Sequence, residues 1–241
     1  MQKLIRSLFA ASAFLIASTS AIAAPTATNV DATITAGIGR VLPGVVLEKI
    51  TKTPYAGLYE LVTPEGIFYT DQTGSFMIAG AAIIDSATRV NLTAKRFEEL
   101  GQFNFKDLPL GDAIKTVKGD GSRVFATFED PNCGFCKKLM HEFAKLDNVT
   151  IYTFLIPVLS PDSATKSKDI WCAQDRSKAW AAQMMENVSA STAPAQCTTP
   201  IERNLALSKK LRVVGTPAIL FASNVRLPGY VTADKIEEKL K

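Results

Sequence analysis

Histidine is almost missing from this chain: His141 is the one example in 241 residues, and only four cysteines accompany it. No second C-x-x-C and no Cys/His pair stands beside the C-x-x-C at Cys133 and Cys136. The four ligands of a tetrahedral zinc site are therefore not on offer, and no metal is expected. Charge of one sign is lacking as well. The 27 Lys plus Arg face 23 Asp plus Glu, which gives no electrostatic case for nucleic acid or a membrane surface. No apolar run approaches the roughly 20 residues that span a bilayer. Repeats and low-complexity tracts are absent too, so solenoid and disordered classes are set aside.

What is present begins with a leader. Lys3 and Arg6 open the chain, Leu8 to Ala17 is apolar apart from Ser12, and Ser18-Thr19-Ser20 leads into Ala21-Ile22-Ala23. That order predicts a secretory signal peptide over residues 1–23. Cleavage is placed after Ala23, because one residue later it would leave Pro25 at the new terminus. The mature chain would keep 218 of the 241 residues, and its formal charge would fall from +4 to +2 as Lys3 and Arg6 leave. That length suits one large or two modest domains with an ample core.

All four cysteines survive such processing. In an exported protein an even count points to disulfides, yet four are too few for a disulfide-stapled scaffold. Spacing divides them: Cys133 and Cys136 form a tight pair, whereas Cys172 and Cys197 are separated by 24 residues.

Residues 24–56 are loosely patterned. Short strands are expected at Gly57 to Thr63, Ile67 to Thr70, Ser75 to Ala79 and Ala82 to Asp85, with turns at Pro64-Glu65-Gly66 and Asp71 to Gly74. So thin a sheet implies burial against a partner. Thr93 is expected to cap a connecting helix from Ala94 to about Phe103. This divides the chain into an N-terminal domain over 24–92, a linker helix over 93–107 and a second domain over 108–241. In the latter, Arg123 to Glu129 reads as a buried strand and Asp130-Pro131-Asn132 as its end. Asn132 is expected to cap a helix whose apolar face is Cys136, Leu139, Met140 and Phe143. Val149 to Pro157 completes a βαβ unit. Residues 160–214 read as helical, with starts at Ser160-Pro161 and at Thr199-Pro200, the latter with Thr199 and Glu202 at capping-box spacing. Strands at Ala218 to Ala222 and Val225 to Leu227, joined by Ser223-Asn224, precede a helix from about Ala233.

A C-x-x-C between strand and helix carries a mechanism. As first helical residue, Cys133 meets unpaired N–H groups and a helix dipole that favour an anion. A thiolate there can open a substrate disulfide, and Cys136, one turn on and deeper, can displace the substrate. An inert bridge across two residues would constrain little. Cys172 and Cys197 close a loop long enough to stabilise the fold by roughly 3 kcal/mol, so they are assigned a structural disulfide rather than a second redox pair. Thr216-Pro217 opens a strand, where a missing N–H is tolerated; its bond is either an ordinary trans turn or cis. His141 reads as a helix-surface residue.

The segment Phe128-Glu129-Asp130-Pro131-Asn132-Cys133-Gly134-Phe135-Cys136-Lys137-Lys138-Leu139 resembles the active site of the DsbC/DsbG family of periplasmic disulfide isomerases. Trp171-Cys172-Ala173, Cys197, Val214-Gly215-Thr216-Pro217-Ala218 and Leu227-Pro228-Gly229-Tyr230 follow that family in order. The resemblance implies a thioredoxin fold with a helical insertion, joined by a linker helix to a small strand-rich dimerisation domain. It implies a V-shaped homodimer with an apolar cleft, a cis Thr216-Pro217 beside Cys133 that pairs with substrate, and no cofactor. It implies misoxidised or unfolded exported proteins as substrates, and a membrane thiol reductant resembling DsbD that keeps the pair reduced. Gly134 and Gly215-Thr216-Pro217 look more like DsbC than DsbG. Phe135 stands where Tyr is more usual, and Lys137 where DsbC members often carry His. Isomerisation is the leading expectation; a thiol oxidase, a DsbG-like sulfenic-acid reductase and a chaperone for unfolded chains are its rivals.

Overall fold

The computed structural model describes residues 27–55 and 57–241, so the expected signal peptide lies outside the described residues. Helix α1 (Ala27–Val41) precedes an antiparallel sheet of β1 (Lys49–Lys52), β2 (Tyr59–Thr63) and β3 (Gly66–Thr70), in that order. Ile34 and Ile38 of α1 are sealed against Tyr59 and Leu61 of β2, with Val45, Leu47 and Phe68 around them. The close approach depends on glycine. A Cβ on Gly37 would come within 2.3 Å of the Thr73 carbonyl oxygen, and Gly74 opposite it has a positive φ of 64°.

Several expectations in this part need correction. Within 24–56, the described residues 27–55 hold a well-formed helix and an edge strand, not a loose tract. The expected strands at Ser75 to Ala79 and Ala82 to Asp85 shrink to single bridges, Tyr69 with Ile78 and Ile84 with Asn91. Helix α2 (Leu92–Leu100) starts earlier and ends sooner than expected, and Asn91 caps it, accepting the Ala94 N–H at 2.9 Å. Thr93 is otherwise engaged: its hydroxyl lies 2.6 Å from the Tyr69 hydroxyl and accepts the Ile83 N–H at 2.9 Å.

Helix α2 touches both sheets. Arg96 pairs with Glu60 of β2 at 3.0 Å, while the carbonyl of Gly101, just past the helix, accepts from Arg226 at 2.6 Å. Arg212 reaches back to bond the Thr63 carbonyl and the Glu48 carboxylate.

The second sheet has the order β4-β6-β5-β7-β8, from β4 (Ile114–Lys118), β5 (Arg123–Glu129), β6 (Val149–Leu155), β7 (Ala218–Phe221) and β8 (Arg226–Pro228). β5 and β6 run parallel around α3 (Gly134–Phe143), as the βαβ reading required; the other pairings are antiparallel. This is the thioredoxin fold that the resemblance implied. Alternation along β5 gives the sheet two cores. Phe125 faces α3 with Leu139, Phe143, Ile219 and Ile236. Ala126 and Phe128 face Phe154, Leu211 and Leu220 on the other side. Strand β4 had not been anticipated.

The helical insertion comprises α4 (Pro161–Trp171), α5 (Arg176–Ala181) with a π-helical turn at Ala182–Glu186, and α6 (Ile201–Lys210); residues 187–200 between them are irregular. Ser160 caps α4 as expected, accepting the Ser163 N–H at 3.2 Å. The capping box at Thr199 and Glu202 does not form, because Pro200 takes the cap position of α6. Proline there has no N–H for a Glu202 side chain to accept. Helix α7 (Ala233–Lys239) closes the chain where it was expected.

Candidate active site

The end of β5, the start of α3 and the segment before β7 converge on the cysteine pair. Cys133 is the N-cap of α3 (φ −73°, ψ 115°), one place before the position expected for it. Its carbonyl accepts the Lys137 N–H at 3.0 Å, the first bond of the helix. Its Sγ accepts the Cys136 N–H at 3.4 Å, so the sulfur itself does the capping. Asn132 is thereby displaced from that role. Its amide donates to Ser160, Asp162 and Ser163 around the start of α4, at 3.1, 2.9 and 3.1 Å, and its oxygen accepts from Lys166 at 2.9 Å.

Both thiols are free and buried, Cys133 at 5% exposure and Cys136 at 0%. They pack with Ile114, Leu155, Trp171, Trp180 and Met184. Burial pushes the Cys136 thiol far above its ordinary range, and the charge of Glu129 adds to the effect. The Cys133 thiol lies 3.4 Å from the Thr216 carbonyl oxygen, its second neighbour. The Thr216–Pro217 peptide is cis, and the Pro217 carbonyl accepts the Gly229 N–H at 2.8 Å, which ties this segment to the end of β8. Cys172 and Cys197 are joined in a disulfide across the insertion, with 6.2 Å between their Cα atoms, and pack against the same cluster. His141 is exposed on α3, away from the pair.

Sequence reasoning passed over two acidic residues. Asp130, fully buried, accepts from the Asn132, Val158 and Leu159 N–H groups at 2.7, 2.8 and 3.0 Å, and from the Ser163 hydroxyl at 2.8 Å. It thus welds the cysteine loop to the segment leading into α4. Glu129, also fully buried, has its carboxyl pushed up to about 8, chiefly by burial. The available signal was alternation in β5, which puts Glu129 in the α3-facing row behind Phe125 and Thr127. On the segments that flank the pair, Phe135, Val158, Leu159 and Val214 are all exposed.

Comparison with known proteins decides the family. Residues 110–241 match the Thioredoxin-like domain, and residues 21–94 match the Disulfide bond isomerase protein N-terminal domain. The probable thiol:disulfide interchange protein DsbC of Bordetella parapertussis is 46% identical over 197 residues, covering 82% of this chain and 69% of its own. This chain belongs to the DsbC family. The Escherichia coli K12 DsbC, a thiol:disulfide interchange protein, is 31% identical over 202 residues, 82% of each chain. A crystal structure of a disulfide interchange protein from Neisseria gonorrhoeae is similar too, at 37% identity and a TM-score of 0.51 over 54% of this chain and 94% of that one. For a DsbC-family member with a thioredoxin-like domain, thiol–disulfide exchange is the chemistry to be explained. No helix among the described residues is long and apolar enough to cross a membrane.

Proposed function

We propose that this chain is a homodimeric disulfide isomerase of the periplasm, with Cys133 as attacking thiol and Cys136 as resolving thiol. The observation that carries the assignment is the capping geometry. The Cys133 sulfur sits at the N-terminus of α3, where it accepts the Cys136 N–H and faces the positive end of the helix dipole. Cys133 attacks a substrate disulfide as its thiolate and forms a mixed disulfide, releasing one substrate thiolate. The freed thiolate then attacks another substrate sulfur, and the last exchange returns Cys133 unchanged. Should rearrangement stall, Cys136 displaces the substrate and leaves as the Cys133–Cys136 disulfide. A membrane thiol reductant resembling DsbD would then restore the pair.

Thr216 and Pro217 are the proposed substrate-positioning residues. The Thr216 backbone beside Cys133 can hold an extended substrate strand against the reacting sulfur. Exposed Phe135, Val158, Leu159 and Val214 supply apolar contact to unfolded, misoxidised exported proteins. Exposed Val41, Leu42, Phe76, Ile78 and Ile84 at the N-terminal sheet suit burial between two copies. Cys172–Cys197 takes a structural role.

Refolding of a protein with scrambled disulfides tests the assignment. Cys133→Ser abolishes the gain in native protein, and Cys136→Ser traps substrate on Cys133. Undiminished refolding by Cys133→Ser would leave only a chaperone. In protein taken directly from the periplasm, free thiols at Cys133 and Cys136 are expected, and a fully oxidised pair would instead mark an oxidase.

A further inference from the structure

Helix α6 ends on a residue that its backbone does not favour. The Arg212 N–H bonds the Lys209 carbonyl at 3.0 Å, and the Val213 N–H bonds the Ser208 carbonyl at 2.8 Å. These two bonds make a Schellman cap, whose turning residue is most often glycine. Arg212 takes that place with a positive φ of 55°, where a side chain crowds the backbone. The cap alone gives no reason for an arginine. The side chain supplies one. It is only 9% exposed, and it donates to the Thr63 carbonyl at the end of β2 and to the Glu48 carboxylate just ahead of β1.

The turn is gripped from two further directions. Arg226 of β8 donates to the Arg212 carbonyl at 3.4 Å and to the Gly101 carbonyl at 2.6 Å. Gly101 is packed so closely that a Cβ on it would come within 2.9 Å of the Leu211 carbonyl oxygen and 3.2 Å of the Arg212 Cβ. Beyond the turn the chain is held loosely. Val214 and Gly215 are exposed, and no hydrogen bond among the described residues engages the N–H of Val214, Gly215 or Thr216. The next anchor is Pro217, whose carbonyl accepts from Gly229. Between the two anchors hangs a strap, residues 213–216, which spans at most about 14 Å. Its last carbonyl, that of Thr216, is the one beside the Cys133 sulfur. A plain tether between the two sheets would serve from any ordinary helical backbone, whereas Arg212 stands where the strap departs.

We propose that Arg212 is a positioning residue for substrate, fixing the near end of this strap to the N-terminal sheet. The proposal rests on the assignment of Thr216 and Pro217 as substrate-positioning residues. An extended substrate pairs with the open backbone groups of the strap, which presents its disulfide to Cys133. A strap tied at Arg212 is already ordered, so that pairing costs little conformational freedom. Cut loose from Thr63 and Glu48, the strap has to be ordered by the substrate itself, and affinity falls. A small disulfide with no backbone to pair gains nothing from the strap in either case. The N-terminal sheet thereby acts on the reaction site of its own chain.

Two reagents with the same coloured leaving group separate the strap from the sulfur. One is dithiobis-nitrobenzoate, a small aromatic disulfide. The other is a short extended peptide whose single cysteine carries nitrothiobenzoate in a mixed disulfide. With either reagent, Cys133 bonds to the retained sulfur and nitrothiobenzoate leaves, and stopped flow follows its colour as the reduced protein reacts. Arg212→Gly suits the cap and removes only the side chain. It should raise the half-saturating concentration of the peptide by about 5- to 10-fold, the order expected when a pre-ordered segment is released, and leave the first release from dithiobis-nitrobenzoate within about two-fold. Gly101→Ala pushes on the same turn from the linker, and should weaken the peptide while sparing the small reagent. A peptide half-saturation unchanged in Arg212→Gly overturns the proposal. Equal slowing with both reagents overturns it too, because Cys133 rather than the strap would then be disturbed. If Arg212→Gly fails to fold, Gly101→Ala decides by the same two outcomes. N-methylation of the peptide amides beside the cysteine should weaken binding to the wild type. A wild type indifferent to it refutes pairing with Thr216, a result distinct from failure at Arg212.

Discussion

The buried carboxyl of Glu129 makes a stability prediction with a definite sign. In the unfolded chain its pKa is near the ordinary 4.5, whereas in the folded chain it is pushed up to about 8. Between those values the folded state holds a proton that the unfolded state has released. Protons bound on the folded side mean that stability falls as pH rises from about 4.5 to about 8, and then levels off. The gap corresponds to about 5 kcal/mol, taken as a ceiling for a fully buried group. Glu129→Gln has nothing to ionise there, and every other group cancels in the difference between the two proteins. The variant is therefore expected to gain on the wild type across that window, by several kcal/mol at pH 8. Urea unfolding under reducing conditions, at half-unit steps from pH 5 to 9, measures it. The chain's two tryptophans, Trp171 and Trp180, both lie in the packing around the cysteine pair and report the relevant unfolding. Parallel curves, or a wild type that strengthens relative to Glu129→Gln as pH rises, would refute the reasoning.

Three further outcomes follow from the packing. Replacing Cys172 and Cys197 together by Ser opens a loop whose ends are 25 residues apart; chemical denaturation should show a loss of about 3 kcal/mol, with refolding of a scrambled-disulfide protein retained. Asp130→Ala strips the acceptor from three backbone N–H groups and the Ser163 hydroxyl; a loss of about 2–4 kcal/mol is expected, together with slower attack by Cys133, while Asp130→Asn should lose less. Arg212→Met removes the bonds to Glu48 and the Thr63 carbonyl that join the two sheets. Small-angle scattering should then show a broader spread of domain separations, and an unchanged profile would mean that α2 alone holds the arrangement.

The parts of the fold that sequence made legible share one property: their local signals agree with their tertiary surroundings. β5 and β6 are runs of buried residues, α3 has an apolar face, and α4 opens on Ser160-Pro161. Where local signals conflict, the reading failed. Helix α1 carries Thr28, Thr33, Thr35, Gly37 and Gly39, all poor helix formers, and is held by Ile34 and Ile38 in a core that no local window shows. Strands β1 and β4 lie at sheet edges and mix lysine and threonine with apolar residues out of period, Lys49 and Lys52 in one, Lys115 and Lys118 in the other. Such lysines guard an edge against foreign strands, and in doing so they erase the pattern by which a strand is recognised. The site divides in the same way. The cysteine spacing announces a redox pair, but Glu129-Asp130 in sequence is only an acidic break at a strand end. What separates them is the pleat of β5, which sends one carboxyl to four donors and the other into the buried row beneath α3.

The burial of Cys136 bears on why such a pair would isomerise rather than simply reduce. A mixed disulfide on Cys133 has two fates: attack by a thiol of the substrate, which rearranges it, or attack by Cys136, which ends the encounter. The first depends on the substrate's own thiolates, which are solvated and partly ionised near neutral pH. The second needs a proton removed from a thiol that burial holds far above its ordinary range. Escape is thus possible but slow, and the burial of Cys136 lengthens the interval in which the substrate can find a better pairing.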